Sequence, residues 1–277
     1  MMIGQHTAGI NFQYMIQQEF KMKTELYLSE KELRKPYFLT GAGISLESGI
    51  PTFRGNDKDA VWSKIDVSTG TLSYFKENPV LSWERYLERF DKLSLALPSS
   101  SHKLIKKIED ERSGTVVVTQ NVDGLHTLAG SKDVYEIHGS SRFFRCSKHK
   151  CSYGSPDGLI KSEDVSLSDF RLHKTVDTLP RCPACKSIIR PHVLWFDESY
   201  LSHNSFRFQE AIDRVEDATV IIALGTSLQV SIGSYIKEWS DYIGIRMICI
   251  DPFLSKTPMK GVELYNISSN DFLTKYF

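Results

Sequence analysis

Four times along this chain of 277 residues, a short apolar run rich in β-branched side chains stops at a glycine, asparagine or aspartate. Residues 37–40 run into Gly41-Ala42-Gly43, and 115–119 into Gln120-Asn121; residues 218–224 run into Gly225-Thr226-Ser227, and 246–250 into Asp251-Pro252. Runs this short and this apolar read as strands buried on both faces, the habit of parallel strands joined by helical crossovers. Residues 79–97 and 99–110 have helical character, with Asn78 and Ser99 placed as caps. The pattern predicts an α/β fold built on a Rossmann-like parallel sheet. Open sheets of this kind bind ligands beyond the carboxyl ends of their strands, which is where every one of these polar clusters falls.

Composition narrows the partners. With 41% hydrophobic and 25% charged residues the chain can bury a full core, and 34 basic side chains balance 34 acidic ones. That balance offers no global attraction to phosphate backbones or anionic lipid, so nucleic acid is not expected as a direct partner. No stretch approaches the roughly 20 apolar residues of a membrane span, and the longest apolar run is 220–224. The first residues lack a basic start before an apolar block and carry no arginine until Arg34, so neither a secretory signal nor a transit peptide is expected. Cytoplasmic residence and a monomer are the expectations. Residues 1–33 read as an N-terminal extension, flexible by expectation or partly the product of a start upstream of Met22. Residues 23–34, which overlap its end, are compatible with a helix.

The region 142–190 breaks the strand rhythm. It is polar and holds Cys146, Cys151, Cys182 and Cys185, four of the five cysteines. Two short loops, Cys-x4-Cys and Cys-x2-Cys, can each place two thiolates on one tetrahedral Zn2+ ion; the alternative is a pair of disulfides, which a reducing compartment disfavours. Four protein ligands leave no open position, so such a metal is structural. His149 and His173 lie close enough to stand in for a cysteine. The fifth, Cys249, falls in an apolar strand and reads as a buried thiol. The expected organisation is therefore a Rossmann-like domain from 34–141 and 191–277, interrupted by a zinc module over 142–190.

A glycine turn after a strand is a weak signal by itself, because such turns also serve only to pack a helix closely. Here a second stiff turn, residues 48–55, follows and carries Phe53 and Arg54. Bare amides at the first turn could approach a pyrophosphate, with Arg54 as a bidentate donor. Gln120, Asn121 and Asp123 end a buried strand, where they either cap the next segment or hold a ligand. His138 emerges at a strand end, just before Gly139. Its ordinary pKa, near 6.5, suits a base at neutral pH.

Read in order from Gly41 to Ser227, these segments are G-A-G-I-S, G-I-P-T-F-R, T-Q-N-V-D-G-L-H, I-H-G, the two cysteine pairs, R-P-H-V-L-W-F and G-T-S. The chain thereby resembles the sirtuins, the NAD-dependent protein lysine deacylases. The resemblance implies NAD as cofactor, contacted by Gly41, Ala42, Gly43, Ser45, Phe53, Arg54, Gln120, Asn121, Asp123, Gly225, Thr226, Ser227, Cys249 and Asp251. It implies catalytic roles for His138 and Asn121, and capture of an acyl-lysine protein or peptide along Val193, Trp195 and Phe196 by strand addition. In the implied reaction the acyl oxygen attacks the ribose carbon bearing nicotinamide, and the histidine removes a ribose hydroxyl proton. The products are free lysine, nicotinamide and O-acyl-ADP-ribose.

Tyr86 and Arg89 stand three apart in the helix after Asn78-Pro79 and share a face. They could be an ordinary exposed pair. A Tyr-x-x-Arg at this place resembles the sirtuin subgroup that removes acidic acyl groups such as succinyl and malonyl, and Thr52, Gly70 and His192 follow that usage. The chain departs from the family at Asp197, where glycine is usual, at Cys249, where asparagine is usual, and in its wider Cys-x4-Cys. NAD glycohydrolase or protein ADP-ribosyltransferase activity is the rival reading, and a catalytically idle NAD sensor or acyl-protein binder a third. The zinc pairs and the strand-pairing segment speak against the first, and the intact Asn121, Asp123 and His138 against the second.

Overall fold

The computed structural model describes residues 26–52, 67–254 and 259–277. In chain order its strands are β1 (Pro36–Thr40), β2 (Val116–Thr119), β3 (Val134–Glu136), β4 (Gly139–Cys146), β5 (Ile160–Lys161), β6 (Ile189–Val193), β7 (Val220–Leu224), β8 (Met247–Ile250) and β9 (Glu263–Tyr265). Six of them form a parallel sheet in the order β3-β2-β1-β7-β8-β9. The other three form an antiparallel sheet, β5-β4-β6.

Register positions the site. Thr40 is opposite Thr119 on one side and Leu224 on the other, and Leu224 is opposite Ile250. The carboxyl ends of β2, β1, β7 and β8 are thus flush, and the polar clusters that follow them emerge side by side. The chain order reverses between β1 and β7, the crevice where open α/β sheets bind ligands.

The helices are α1 (Leu72–Glu77), α2 (Pro79–Leu95), α3 (Ser100–Glu111), α4 (Leu125–Leu128), α5 (Ser168–Leu172), α6 (Phe208–Asp213), α7 (Ser231–Ile243) and α8 (Ser269–Tyr276). Side chains alternate across a strand, so Tyr37 and Leu39 join the core under α6 and α7, while Phe38 joins Ile105 of α3 and Phe272 of α8 on the opposite face. Ser99 caps α3 as expected: its Oγ accepts from the His102 N–H, and its own N–H donates to His102 Nδ1 at 3.2 Å. Asn78 stands at the start of α2 without a side-chain capping bond; Pro79, with φ preset for a helix, begins the turn instead.

A third core joins α2 to the antiparallel sheet. Trp83 is fully buried, meets Phe144 edge-on at 5.2 Å and donates its indole N–H to the Ile189 carbonyl. An aromatic pair of this kind contributes about 0.5–1.5 kcal/mol beyond its buried area. The antiparallel sheet reaches from Gly139 to Val193, a few residues beyond each end of 142–190.

The described end of the N-terminal region differs from the expected helix. Residues 26–30 are irregular, and only Glu32–Arg34 make a 3-10 turn. Ser29 bonds the Glu32 carboxylate through both its N–H and its hydroxyl, which closes the turn locally. Lys35 precedes Pro36, and a residue before proline is pushed out of the helical region. Leu26, Leu28 and Leu33 are buried in the core beside β1.

Candidate active site

Beyond the flush strand ends lies a cleft of about 910 Å³. Gly41, Ala42, Gly43, Gln120, Asn121, His138, Gly225, Thr226, Ser227 and Asp251 line it from the parallel sheet. Tyr86 and Arg89 line it from α2, and Val193, Trp195 and Phe196 from β6 and the segment after it. Thr52 and Gly70 are also on the wall. Phe53 and Arg54 lie outside the described residues.

The two glycine turns interlock. Gly43 N–H donates to the Gly225 carbonyl at 2.8 Å and Gly41 N–H to Leu224 at 3.0 Å, so these two amides are not bare, as the sequence suggested. A methyl group on Gly43 would lie 2.6 Å from the Gly225 Cα, and one on Gly41 2.7 Å from the Thr226 Cβ. Gly225 itself has φ +57°, a left-handed conformation that costs other residues about 1–2 kcal/mol. Glycine is required here for backbone contact between turns as much as for any approach by a ligand.

Asn121 is nearly buried and donates from Nδ2 to the Gly41 carbonyl and to Ser45 Oγ, at 3.0 and 3.1 Å. Ser45 Oγ passes the chain on, donating to Asp123 Oδ2 at 2.7 Å. Asp123 Oδ1 accepts the Leu125 N–H at the start of α4, so the capping reading holds for this residue. Burial raises the Asp123 pKa, against the Leu125 and Ser45 hydrogen bonds. Gln120 Nε2 donates to Thr226 Oγ1 at 2.9 Å and ties the ends of β2 and β7. Ser45 and Asp123 stand just behind the cleft wall, held to it through Asn121.

His138 places Nδ1 2.9 Å from the Gln120 carbonyl and Nε2 3.2 Å from the Tyr200 hydroxyl. A carbonyl only accepts, so Nδ1 carries the proton and Nε2 presents the lone pair. Burial pulls the histidine pKa down to about 4, with the Gln120 carbonyl opposing, which keeps the ring neutral at pH 7. Tyr200 was not legible as a site residue. Its only sequence signal is its place shortly after the Trp195-Phe196 segment.

Cys249 is fully buried, its Sγ 3.7 Å from the Thr226 carbonyl, and it does not line the cleft. His192 is likewise buried, bonded through Nε2 to Ser205 Oγ at 2.8 Å. Asp197 clasps the two walls. Its carboxylate accepts from Leu72 N, Ser73 N and Ser73 Oγ at 2.6–3.0 Å, beside the bond from Phe196 N to the Gly70 carbonyl. Partial burial pushes its pKa up, but the α1 amides outweigh that and hold it below the usual value. Glu198 closes the same seam: it receives Arg145 at 2.9 Å, Arg190 at 2.7 Å and the Trp195 N–H at 3.1 Å. Arg190 also lies 3.3 Å over the Trp195 ring.

The sulfur atoms of Cys146, Cys151, Cys182 and Cys185 all lie within 4.8 Å of one another, and all four are free thiols. Two of the S–S separations are 3.4 and 3.7 Å, close to the edge of a tetrahedron with Zn–S bonds of about 2.3 Å. The donor set fits zinc, with no position left for a substrate. Among the described residues no helix is long and apolar enough to cross a membrane.

Comparison with known proteins points the same way. Residues 41–232 match the model of the Sir2 family. The chain is 36% identical over 239 residues to NAD-dependent protein deacylase 1 of Caldanaerobacter subterraneus subsp. tengcongensis, covering 86% of this chain and 90% of that protein. It is 40% identical over 198 residues to the NAD-dependent protein deacylase of Pyrococcus furiosus, covering 71% and 73%. Among solved structures it resembles a Sir2 homologue bound to NAD, with TM-score 0.71 and 31% identity over 90% of this chain and 92% of that one. A Sir2 complex with a p53 peptide and NAD+ gives TM-score 0.69 at 29% identity, over 87% and 91%.

Proposed function

This chain belongs to the Sir2 family and is an NAD-dependent protein deacylase, and from that premise we propose that it removes acyl groups ending in a carboxylate, such as succinyl and malonyl, from protein lysines. One observation carries the acyl preference. Tyr86 and Arg89, a helical turn apart on α2, line the same cleft as His138 and the interlocked glycine turns. Burial lowers the Arg89 pKa, opposed by Tyr86, so the guanidinium is partly desolvated where an acyl chain would end. Burial likewise lifts the Tyr86 phenol to about 12, against the nearby Arg89 and Arg190 charges. Tyr86 thus stays protonated, able to donate to a carboxylate beside Arg89. A charge-assisted pair in this setting is worth about 1.5–3 kcal/mol.

Bound NAD supplies an electrophilic ribose carbon and nicotinamide as leaving group. In our reading the residues at the strand ends hold it: the glycine turns, Gln120, Asn121, Thr226, Ser227 and Asp251 at the wall, with Ser45 and Asp123 fixing Asn121 from behind. Phe53, Arg54 and Cys249 remain part of that reading, the last through its hydrogen bond to the Thr226 turn. His138 takes a ribose hydroxyl proton at Nε2, the ring nitrogen that carries no proton while Nδ1 donates to the Gln120 carbonyl. The substrate backbone aligns along Val193, Trp195 and Phe196, next to a strand whose other edge is paired with β4.

Measuring kcat/KM for acetyl and succinyl forms of one peptide tests the preference. Arg89→Met should depress desuccinylation roughly tenfold to a hundredfold and leave deacetylation nearly intact. An acetyl preference in the wild type, or equal losses on both substrates, defeats it. Product analysis separates deacylation, which yields O-acyl-ADP-ribose, from the glycohydrolase and ADP-ribosyltransferase reactions. His138→Ala should nearly abolish turnover with the fold preserved.

A further inference from the structure

We propose that Tyr200 is a positioning residue for His138: its phenol holds the Nε2 lone pair of the imidazole, and a ribose hydroxyl must displace it to reach the base. The inference rests on His138 being that base.

The direction of every hydrogen bond around the ring follows from one atom. Because the Gln120 oxygen can only accept, Nδ1 is the protonated nitrogen, and Nε2, 3.2 Å from the phenol, can only accept from it. The phenol oxygen in turn accepts from Ser231 Oγ at 3.4 Å, at the start of α7 and on the cleft wall. The hydroxyls of Ser231 and Tyr200 thus point their protons in sequence toward the base. The Tyr200 ring is fixed independently. It stacks on Phe208 of α6 at 4.6 Å and 14°, lies nearly parallel to the His138 ring at 5.8 Å and 21°, and meets Tyr235 of α7 edge-on at 6.5 Å. The groups facing the pair are Gln120 from the end of β2, Phe208 from α6, and Ser231 and Tyr235 from α7; Tyr235 is the titratable one among them. Burial raises the Tyr200 pKa, so the phenol keeps its proton to donate.

A hydrogen bond donated to the neutral imidazole disfavours the imidazolium. Tyr200 therefore lowers the affinity of His138 for a proton, and the bond also fixes which nitrogen is the base. Once a ribose hydroxyl occupies Nε2, that influence is gone. The phenol should affect the enzyme before substrate binds and not the complex.

Tyr200→Phe keeps the stacked ring and removes only the hydroxyl. The acidic limb of kcat/KM, which reports the free enzyme, should move up by roughly half to one pH unit, the share of one net hydrogen bond, while the limb of kcat stays in place. Nitrogen-15 NMR of the imidazole should show the same upward shift in the His138 titration. In the wild-type protein, whatever the variant does, the spectrum should show the Nδ1–H tautomer. An Nε2–H tautomer in the wild type, or identical acid limbs and identical His138 titrations in the two proteins, overturns the proposal. If His138→Ala retains most deacylation, the base assignment itself fails; an inactive His138→Ala beside an unmoved Tyr200→Phe titration defeats only the role of Tyr200.

Discussion

On the parallel-sheet side of the cleft, the contacts that set the wall are between main chains: Gly41 and Gly43 donate to the carbonyls of Leu224 and Gly225, and the turns touch where side chains are missing. On the opposite side the wall is set by side chains. Asp197 holds the first turn of α1, Glu198 holds Arg145, Arg190 and the Trp195 amide, and Trp83 fastens α2 to Ile189. The sheet side needs a common geometry for any nucleotide. The other side can be re-specified one residue at a time, which suits the wall that would choose the acyl group and the peptide. Behind it lies a polar segment with strands as short as two residues, gathered around four thiols.

The sharpest break in this comparison comes from zinc removal. Chelation, or Cys182→Ser, should unfold the cysteine segment and abolish turnover, because a structural zinc site supplies folding free energy on the order of 10 kcal/mol. Hydrogen exchange should then rise across β4–β6 while β1, β2 and β7 stay protected. Equal loss in both sheets would mean that the two walls fold as one unit.

Glu198→Gln comes next. It leaves two buried guanidinium groups facing a neutral amide, and breaking a buried pair in this way costs about 3–5 kcal/mol. Urea unfolding measures it. Burial pushes the Glu198 pKa up, but Arg190 and Arg145 outweigh that and hold it below the ordinary value. Its stabilisation is therefore complete above about pH 4.3, the unfolded value, and is lost as pH falls through the lower folded value. The variant should lack that acid-dependent component.

A smaller effect is expected from Gly43→Ala. The added methyl must push Gly225 away, an overpacking cost of about 1–3 kcal/mol, and NAD affinity should fall more than the melting temperature does. Calorimetric titration with NAD, set beside thermal melts, checks this. If stability and affinity are both unchanged, the main-chain account of the sheet wall is wrong.

The smallest concerns Arg171, which meets Asp91 across the seam between α5 and α2 at 2.6 Å with both side chains about half exposed. Arg171→Ala should change the unfolding free energy by less than about 0.5 kcal/mol, since screened surface pairs contribute little. A loss above 1 kcal/mol would mean that the seam depends on ionic contacts as much as on Trp83 and Phe144.

Much of this was legible in the sequence because periodicity and spacing are local. The short apolar runs became β1, β2, β7 and β8, each within two residues of its expected bounds, and the two cysteine pairs came together as four thiols. The N-terminal helix was misjudged because its propensity ignored the Ser29–Glu32 turn and the proline that follows. The amides of Gly41 and Gly43 were taken as free because their acceptors, on β7 and its turn, lie more than 180 residues away in the chain. Separations of 23 and 125 residues likewise hid Cys249 behind Thr226 and gave no hint that Asp197 reaches α1.

By itself the sequence determined the class of sheet, the glycine turns at its strand ends, a histidine beside them and two cysteine pairs that fit zinc, since each is a residue type at a spacing that the chain carries within one or two turns. Only the tertiary structure decided how those pieces act on one another: that the glycine turns interlock, that Tyr200 bonds His138, and that Tyr86 and Arg89 face the cleft those turns line. Such contacts join residues tens to hundreds of positions apart. They exist only once the strands are in register, because hydrogen bonds and desolvation act over a few ångströms of space and not over any fixed distance along the chain.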